Sequence, residues 1–213
     1  MALRAVVFDY GMVLTGPPDA QARAELIRLT GLDPERFESL YWVHRHAYDE
    51  GKLTGRAFWQ QFVQDAGLAA APTGADDLID QLNLWDARMW TAQDPAMLAW
   101  QLALKERGLL TAILSNMGDN VLENMKREFT WLSRFDVLVW SYQLHIAKPD
   151  PAIYQHTLVQ LGVTPGEALF LDDRPVNVQA AQALGFHALQ FSTIQQLRAD
   201  LLQTGLASEL PLP

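Results

Sequence analysis

The sequence predicts an α/β fold: a Rossmann-like, doubly wound parallel sheet of about five core strands, with an inserted all-helical cap domain. From about residue 109 onward, short apolar runs alternate with helical segments, and right-handed crossovers between such runs produce parallel strands. One further apolar run, at residues 5–8, is separated from the others by a long stretch with helical patterning only. We therefore assign residues 1–15 and 88–213 to the core domain and residues 16–87 to the cap domain.

The composition excludes several classes of function. The chain has 213 residues, 49% of them hydrophobic, which is ordinary for a globular protein. Its net charge of -9 argues against nucleic acid as a partner, because such binding needs a basic face. It has no cysteine, which excludes disulfides, thiolate catalysis and cysteine-bound metal. We see no secretory signal and no apolar run of roughly 18 residues, so we expect a cytoplasmic protein that does not interact with membranes.

The first apolar run is too short for a helix and is typical of a buried strand. Asp9 follows it directly, and Gly16, Pro17 and Pro18 then break the chain. Helices are predicted over residues 18–30, 34–48, 54–66 and 73–84, followed by a connecting segment at 85–93. Asp33 before Pro34 is typical of a helix start, and Thr73 with Asp76 fits a capping box.

The remaining chain alternates between helices and strands. Helix starts are indicated by Asp94-Pro95 and Asp150-Pro151, and Gly108 and Gly185 fit helix ends. The predicted strands are 109–114, 137–140, 168–171 and 187–191, and the predicted helices are 95–107, 119–129, 151–161, 176–184 and 194–205.

Polar residues that could carry chemistry follow the predicted strands: Asp9, Ser115, Lys148, and the pair Asp172 and Asp173. The carboxyl ends of parallel strands share one edge of a sheet, so these residues can converge there. Two carboxylates about 4 Å apart repel each other by roughly 4 kcal/mol at an effective dielectric constant near 20. Lys148 supplies one positive charge, and the all-oxygen donor set suits Mg²⁺ for the rest. Taken singly, each residue could instead be a helix cap, a loop lysine or a surface turn.

Four motifs stand in order along the chain. They are Phe8-Asp9-Tyr10-Gly11-Met12-Val13-Leu14, Leu114-Ser115-Asn116, Lys148-Pro149-Asp150-Pro151, and Leu171-Asp172-Asp173-Arg174 with Asn177 beyond. In this order they resemble the haloacid dehalogenase-like superfamily of hydrolases, in the branch with a helical C1-type cap. Together they cover the chain nearly from end to end.

The resemblance implies a role for each motif residue. Asp9 would be the nucleophile that forms an aspartyl-phosphate, and Lys148 would neutralise it and the phosphate. Ser115 and the backbone N–H groups of Asn116 would hold the phosphoryl oxygens. Magnesium would bind Asp9, the carbonyl oxygen of Gly11 and Asp173, with Asp172 supporting through water and Asn177 orienting the loop.

One departure from the family pattern concerns Gly11. Phosphatases of this superfamily usually carry a second aspartate there, which acts as general acid and base, help typically worth about 10² to 10⁴ in rate. We expect either a substrate with a good leaving group or a substitute residue in the cap, such as His44 or His46. These histidines and Arg45 are the candidate substrate-binding residues of the cap.

The function expected from the sequence is a Mg²⁺-dependent phosphatase that hydrolyses a small phosphorylated metabolite. A dehalogenase of the same superfamily is the first alternative, although that chemistry needs no metal and leaves Asp172 and Asp173 without a purpose. The second alternative is a non-catalytic binding or regulatory protein that lost turnover together with the second aspartate. No feature of the sequence selects the natural substrate or an oligomeric state.

Overall fold

A five-stranded parallel sheet forms the centre of the computed structural model, which describes residues 2–68 and 75–213. The strand order is β3-β2-β1-β4-β5, and every neighbouring pair is parallel. The strands are β1 Ala5–Phe8, β2 Leu110–Ser115, β3 Val137–Trp140, β4 Ala168–Asp172 and β5 His187–Gln190. The predicted fold class, a doubly wound α/β sheet, is confirmed.

Helices cover both faces of this sheet and form a separate bundle between β1 and β2. They are α1 Ala20–Thr30, α2 Pro34–Val43, α3 Arg45–Asp49, α4 Gly55–Asp65, α5 Ala75–Met89, α6 Pro95–Glu106, α7 Asp119–Glu128, α8 Ser141–Leu144, α9 Pro151–Leu161, α10 Pro175–Ala183 and α11 Ile194–Gln203. Among the described residues, none of the helices has both the length and the apolar character that a bilayer crossing requires.

Alternation along β1 divides the core into two layers. Val6 and Phe8 pack on the face covered by α6, α7 and α11, whereas Ala5 and Val7 pack on the face covered by α9 and α10. All four residues are completely buried, as expected for the central strand of a parallel sheet. The helices α1 to α5 enclose a third apolar cluster that includes Phe58, Trp59 and Phe62.

Three aspartate-proline pairs begin helices as predicted. The side chain of Asp33 accepts a hydrogen bond from the Arg36 N–H, at the start of α2. Asp94 caps α6 and Asp150 caps α9 in the same way. Each carboxylate satisfies a free N–H of the first turn, and proline needs no partner at that position.

The structure corrects the predicted helix 34–48, which is two helices that meet at His44. Nothing in the local pattern marks this break, so we attribute it to tertiary contacts. Arg45, the first residue of α3, is buried and pairs with Asp86 of α5.

The predicted connecting segment 85–93 was also wrong, because α5 continues to Met89. Leu82, Asp86 and Met89 all lie on the buried side of this helix. The aspartate interrupts the apolar pattern and thereby hides the helix from the sequence. Helix α8 was likewise not predicted, and Thr73 of the predicted capping box lies outside the described residues. The domain boundary at residue 88 stays a prediction.

Candidate active site

Sheet register brings the predicted acidic residues together. β1 is the central strand, and Phe8 is level with Leu171 of β4, so Asp9 lies level with Asp172. Asp9 also continues the pairing, since its N–H donates to the Leu171 carbonyl. One carboxylate oxygen from each of Asp9, Asp172 and Asp173 lies within 4.8 Å of the others. Residues more than a hundred positions apart in the sequence therefore form one cluster at the carboxyl edge of the sheet.

Lys148 lies between two of these carboxylates. Its Nζ is 2.9 Å from Asp9 Oδ1 and 2.6 Å from Asp172 Oδ2, and its side chain is buried. Burial alone would lower the pKa of Lys148, but the two carboxylates outweigh it and raise the pKa above its usual value. The lysine is therefore a fixed positive charge inside the site.

Burial raises the pKa of Asp9 to about 7, an effect that Lys148 opposes and the neighbouring acids reinforce. The pKa of Asp173 is also raised, first by burial and then by the charge of Asp172. Lys148 pairs with Asp9 and Asp172, and the charge of Arg174 acts on Asp173 from farther away, so three carboxylates face two positive charges. The cluster is therefore short of positive charge. This shortage is what a divalent cation would correct.

The Asp172 carboxylate is fully occupied by protein donors. Its oxygens accept hydrogen bonds from Lys148 Nζ, from the Arg174 N–H at 2.9 Å and from Asn177 Nδ2 at 3.0 Å. Asn177 is itself buried, and its carbonyl accepts the Tyr154 hydroxyl. Asp172 therefore orients the lysine and the following loop from behind the cluster.

Asn116 fixes the loop that carries the lysine. Its Nδ2 donates to the Lys148 carbonyl at 2.9 Å, and its Oδ1 accepts the Lys148 N–H at 2.8 Å. The Lys148-Pro149 peptide bond in this loop is cis. With both side-chain groups of Asn116 engaged, only its backbone N–H is left for the predicted phosphate contact.

A cavity of about 370 Å³ opens over the cluster, between the sheet edge and the bundle of helices α1 to α5, which we call the cap. Most of the predicted site residues line it. They are Asp9, Gly11, Arg45, Ser115, Asn116, Lys148, Asp173 and Asn177. Residues that the sequence did not single out for the site complete the wall, among them Met12, Pro18, Asp49 and Val121.

The two predicted histidines do not line this cavity. His44 Nε2 is 2.7 Å from Asp65 Oδ2 on the outside of the cap, and the His46 side chain is 72% exposed beside Glu50. Adjacent residues on a helix point in different directions, so Arg45 is buried while its neighbours on either side form pairs at the surface. The structure thus corrects the expectation that His44 or His46 contacts the substrate.

Arg45 belongs to a buried polar network that the sequence did not reveal. Its Nε donates to Asp49 Oδ1 at 2.9 Å, and its Nη1 lies 3.3 Å from Asp86 Oδ1 and contacts the Tyr41 hydroxyl. The guanidinium also lies over the rings of Tyr48 and Trp90. The sequence signal for Asp49 was its position four residues after Arg45, which places both on one helix face.

Gly11 is not needed for backbone conformation or for space. Its φ lies outside the left-handed region, and a Cβ there would meet only Trp90, at an ordinary contact distance of 3.8 Å. The left-handed residue of this turn is Met12, with φ 62°. The turn would therefore accommodate a side chain at position 11.

Comparison with known proteins identifies the class to which this fold and site belong. The haloacid dehalogenase-like hydrolase family profile matches residues 3–185, so the chain belongs to this family of hydrolases. The expected superfamily membership is thereby confirmed.

Particular relatives carry different activities in their names. The chain is 30% identical to (S)-2-haloacid dehalogenase 1 from Pseudomonas sp. (strain CBS-3), over 91% of this chain and 86% of that protein. It is 28% identical to Phosphatase MT3486 from Mycobacterium tuberculosis (strain CDC 1551 / Oshkosh), over 95% of this chain and 94% of that protein. It is also 30% identical to acyl-CoA dehydrogenase family member 10 from Mus musculus over 98% of this chain, but it spans only 20% of that relative's length.

A solved structure shares the fold. The HAD family enzyme bt-2542 from Bacteroides thetaiotaomicron, in complex with magnesium and inorganic phosphate, superposes with a TM-score of 0.73 and 21% identity. The match covers 88% of this chain and 93% of the other. At this identity, the comparison supports the architecture alone.

Proposed function

We propose that this hydrolase is a Mg²⁺-dependent phosphatase that forms an aspartyl-phosphate on Asp9. The observation that carries the proposal is the charge balance of the site, where the single ammonium group of Lys148 faces the carboxylates of Asp9, Asp172 and Asp173. Dehalogenation at carbon uses the aspartate and needs no metal, so it gives no reason for the additional acids. Phosphoryl transfer gives such a reason, because it depends on positioning and charge neutralisation, and the acids can hold a metal ion that supplies both.

The donor chemistry fits magnesium. All three clustered side chains offer oxygen, and Asp173 lines the cavity without a salt-bridge partner among the described residues. We propose that Asp9, Asp173 and the carbonyl oxygen of Gly11 hold the ion, with Asp172 behind them. When bound, Mg²⁺ neutralises phosphate charge and fixes the phosphoryl group beside the nucleophile.

The protein groups perform two displacements. Asp9 Oδ1 accepts the Tyr10 N–H at 2.6 Å and lies against Lys148, so the carboxylate is held in one orientation. In the first displacement, an Asp9 oxygen bonds to phosphorus and the ester oxygen leaves with its electron pair. In the second, water attacks phosphorus and the Asp9 carboxylate is restored. The Ser115 hydroxyl and the backbone N–H of Asn116 hold the phosphoryl oxygens, and Lys148 neutralises their charge.

The substrate we propose is a small phosphorylated metabolite. A volume of about 370 Å³ is near the lower end of ligand cavities, which run from about 300 to 1,000 Å³. Arg174 lines the wall and adds positive charge to it, whereas the charge of Arg45 is already shared between Asp49 and Asp86. The match to a protein named as a phosphatase over 95% of this chain is consistent with this activity.

A panel of phosphorylated metabolites, assayed with Mg²⁺ and with EDTA, tests this proposal. We expect release of inorganic phosphate that requires the metal and falls by at least about 10³-fold in Asp9→Asn, since covalent catalysis is lost. Asp33→Asn is the matched control, because Asp33 caps α2 away from the cavity and asparagine caps equally well. Turnover that persists in EDTA and in Asp9→Asn would refute the proposal.

A dehalogenase is the second candidate, and the match to (S)-2-haloacid dehalogenase 1 favours it. In that case Asp9 would attack a halogen-bearing carbon, and Arg45 would face the substrate carboxylate. Release of halide from 2-haloacids in EDTA, with no phosphate released from the panel, would establish this alternative. A protein that releases neither product but binds phosphate esters would instead be a binding module.

A further inference from the structure

Among the described residues, few that line the cavity over the acidic cluster can give a proton to a leaving group. An alkoxide is a poor leaving group unless an acid protonates it as the bond to phosphorus breaks. Asp9 and Asp173 are committed to attack and metal binding in the proposed reaction, and Arg45 and Arg174 are too basic. The Tyr10 hydroxyl donates to the Trp90 carbonyl at 2.7 Å, and burial raises the pKa of this tyrosine.

Asp49, the last residue of α3, is the remaining acid that lines the cavity. Its Oδ1 accepts the Arg45 Nε at 2.9 Å, whereas no donor among the described residues bonds to Oδ2. The side chain is 16% exposed, so it is mostly buried yet open to the cavity. One carboxyl oxygen is therefore free to meet a ligand.

The backbone ties Asp49 to the catalytic edge of the sheet. Its carbonyl accepts the Ser141 hydroxyl, and the same Ser141 oxygen accepts the Met117 N–H at 2.9 Å. Met117 follows Ser115 by two residues, in the loop where we place the phosphoryl oxygens. A single buried hydroxyl thus joins the cap residue to the loop that would hold the phosphate.

Charge in the cap favours a retained proton on this carboxyl. One guanidinium, that of Arg45, is shared between the buried carboxylates of Asp49 and Asp86. Burial raises the pKa of Asp49 to about 6; Arg45 opposes this rise and Asp86 reinforces it. The titratable and charged groups around this carboxyl are Arg45, Asp86, His46, Tyr41 and Tyr48.

We propose that Asp49 supplies from the cap the general acid that position 11 lacks, an inference that rests on the proposed phosphatase function. As Asp9 bonds to phosphorus and the ester bond breaks, the Asp49 carboxyl gives its proton to the departing oxygen. Water then attacks the aspartyl-phosphate and releases its proton to solvent, and the Asp49 carboxylate regains a proton from solvent. Inorganic phosphate leaves, and both aspartates return to their starting states.

Leaving-group dependence tests this role. In Asp49→Asn, turnover of an alkyl phosphate should fall by about 10² or more, because its leaving group needs the proton. Turnover of acetyl phosphate, whose leaving group departs without help, should stay within about threefold of wild type. A purely structural role for Asp49 would lower both rates by the same factor.

A rescue variant makes the test specific. Gly11→Asp should restore part of the alkyl phosphate turnover in the Asp49→Asn background, since a side chain at position 11 meets only Trp90. Asp49→Glu retains a carboxyl and should keep the wild-type leaving-group dependence at a lower rate. The matched control is Asp65→Asn, which removes another paired cap aspartate away from the cavity and should change neither rate.

The outcomes separate the two proposals. Equal losses for both substrates in Asp49→Asn, or no loss for either, would overturn the role of Asp49 and leave the phosphatase intact. Wild-type protein that hydrolyses neither substrate in Mg²⁺ would overturn the proposed function itself, and the role of Asp49 with it.

Discussion

Lys148 is the residue whose charge matters most to the stability of the site. Its side chain is 1% exposed and contacts two carboxylates, one of them the completely buried Asp172. Removing one partner of a buried ion pair leaves an uncompensated charge, which costs about 3 to 5 kcal/mol. The same lysine therefore supports both the fold and the proposed phosphate site.

We predict that Lys148→Met lowers the free energy of unfolding by about 3 kcal/mol in EDTA near neutral pH. The loss should shrink at lower pH, because Asp9 has a pKa of about 7 even beside the lysine and takes up a proton more readily without it. Urea denaturation at about pH 7.5 and about pH 5 measures both effects.

Lys105→Met is the matched control for this variant. Lys105 pairs with Asp136 at 2.7 Å, but its side chain is 35% exposed and that of Asp136 is 29% exposed. Partly exposed pairs contribute about 0 to 1 kcal/mol, so the loss should be small. Equal losses in the two variants would contradict the central place of Lys148.

A second prediction concerns Asp49 and the dependence of folding stability on pH. Its pKa is raised from 3.8 to about 6, so the folded state binds the proton more tightly than the unfolded chain does. The stability that this group contributes is present below about pH 3.8 and is lost as pH rises to about 6. Each pKa unit corresponds to about 1.4 kcal/mol.

Asp49→Asn removes this titration and keeps a polar side chain beside Arg45. As the pH rises from about 4 to about 7.5, the free energy of unfolding of this variant should therefore increase relative to that of the wild type. Chemical denaturation at both pH values measures the difference. A relative stability that is constant or moves the other way would show that burial does not perturb this carboxyl.

The cap helices pack closely against the core domain. Gly118 precedes α7 with φ -76° and ψ 169°, which other residues adopt readily. A Cβ at this position would collide with the ring of Tyr48 from α3. In addition, Asp119 Oδ1 accepts the Gly55 N–H at 2.8 Å, so the core caps helix α4 of the cap. These contacts fix the position of the cap over the cavity.

We predict that Gly118→Ala costs about 1 to 3 kcal/mol of stability, the usual cost of overpacking. It should also lower turnover, because the cap can no longer dock on the loop after β2. Adding Tyr48→Ala should recover part of both losses, since the ring is what the new methyl group meets. Denaturation and kinetics across this double-mutant cycle measure the coupling.

Gly16→Ala is the control for backbone effects, because a Cβ there has no neighbour within 4 Å. It should leave stability and turnover close to wild type. Additive effects of Gly118→Ala and Tyr48→Ala would mean that the two residues do not meet in solution.

The elements also show where the sequence was informative. Aspartate-proline pairs fixed the starts of α2, α6 and α9, because capping is a local interaction. The end of α5 and the break at His44 were missed. A buried ion pair joins these two places, between Asp86 in the last turn of α5 and Arg45, the residue after the break. A polar pair inside a core cannot be told from two surface residues by local pattern.

For the molecule as a whole, the parallel sheet was predictable, whereas on the cap side of the site the sequence predicted Arg45 but not Asp49. The order of strands and helices implied one shared edge for Asp9, Ser115, Lys148 and Asp173, and the structure places all four around one cavity. Asp49 lines the cavity only because the cap packs against the core. The choice of Asp49 over His44 and His46 depends on that tertiary contact, which short-range pattern does not encode.

The central claim is that Asp9 receives a phosphoryl group, and a single-turnover experiment in heavy-oxygen water tests it most directly. Enzyme in excess over acetyl phosphate, with Mg²⁺, is digested after one turnover, and label is located by mass spectrometry. We predict a phosphoryl group on the Asp9 peptide when the reaction is quenched in acid before completion. After completion, we predict heavy oxygen in the released inorganic phosphate and none in the Asp9 peptide, because water attacks phosphorus. An Asp9 peptide that carries no phosphoryl group at any quench time would contradict the claim. Heavy oxygen in the Asp9 carboxylate would also contradict it, since it would mean that water attacks the carbonyl carbon of a covalent adduct on Asp9.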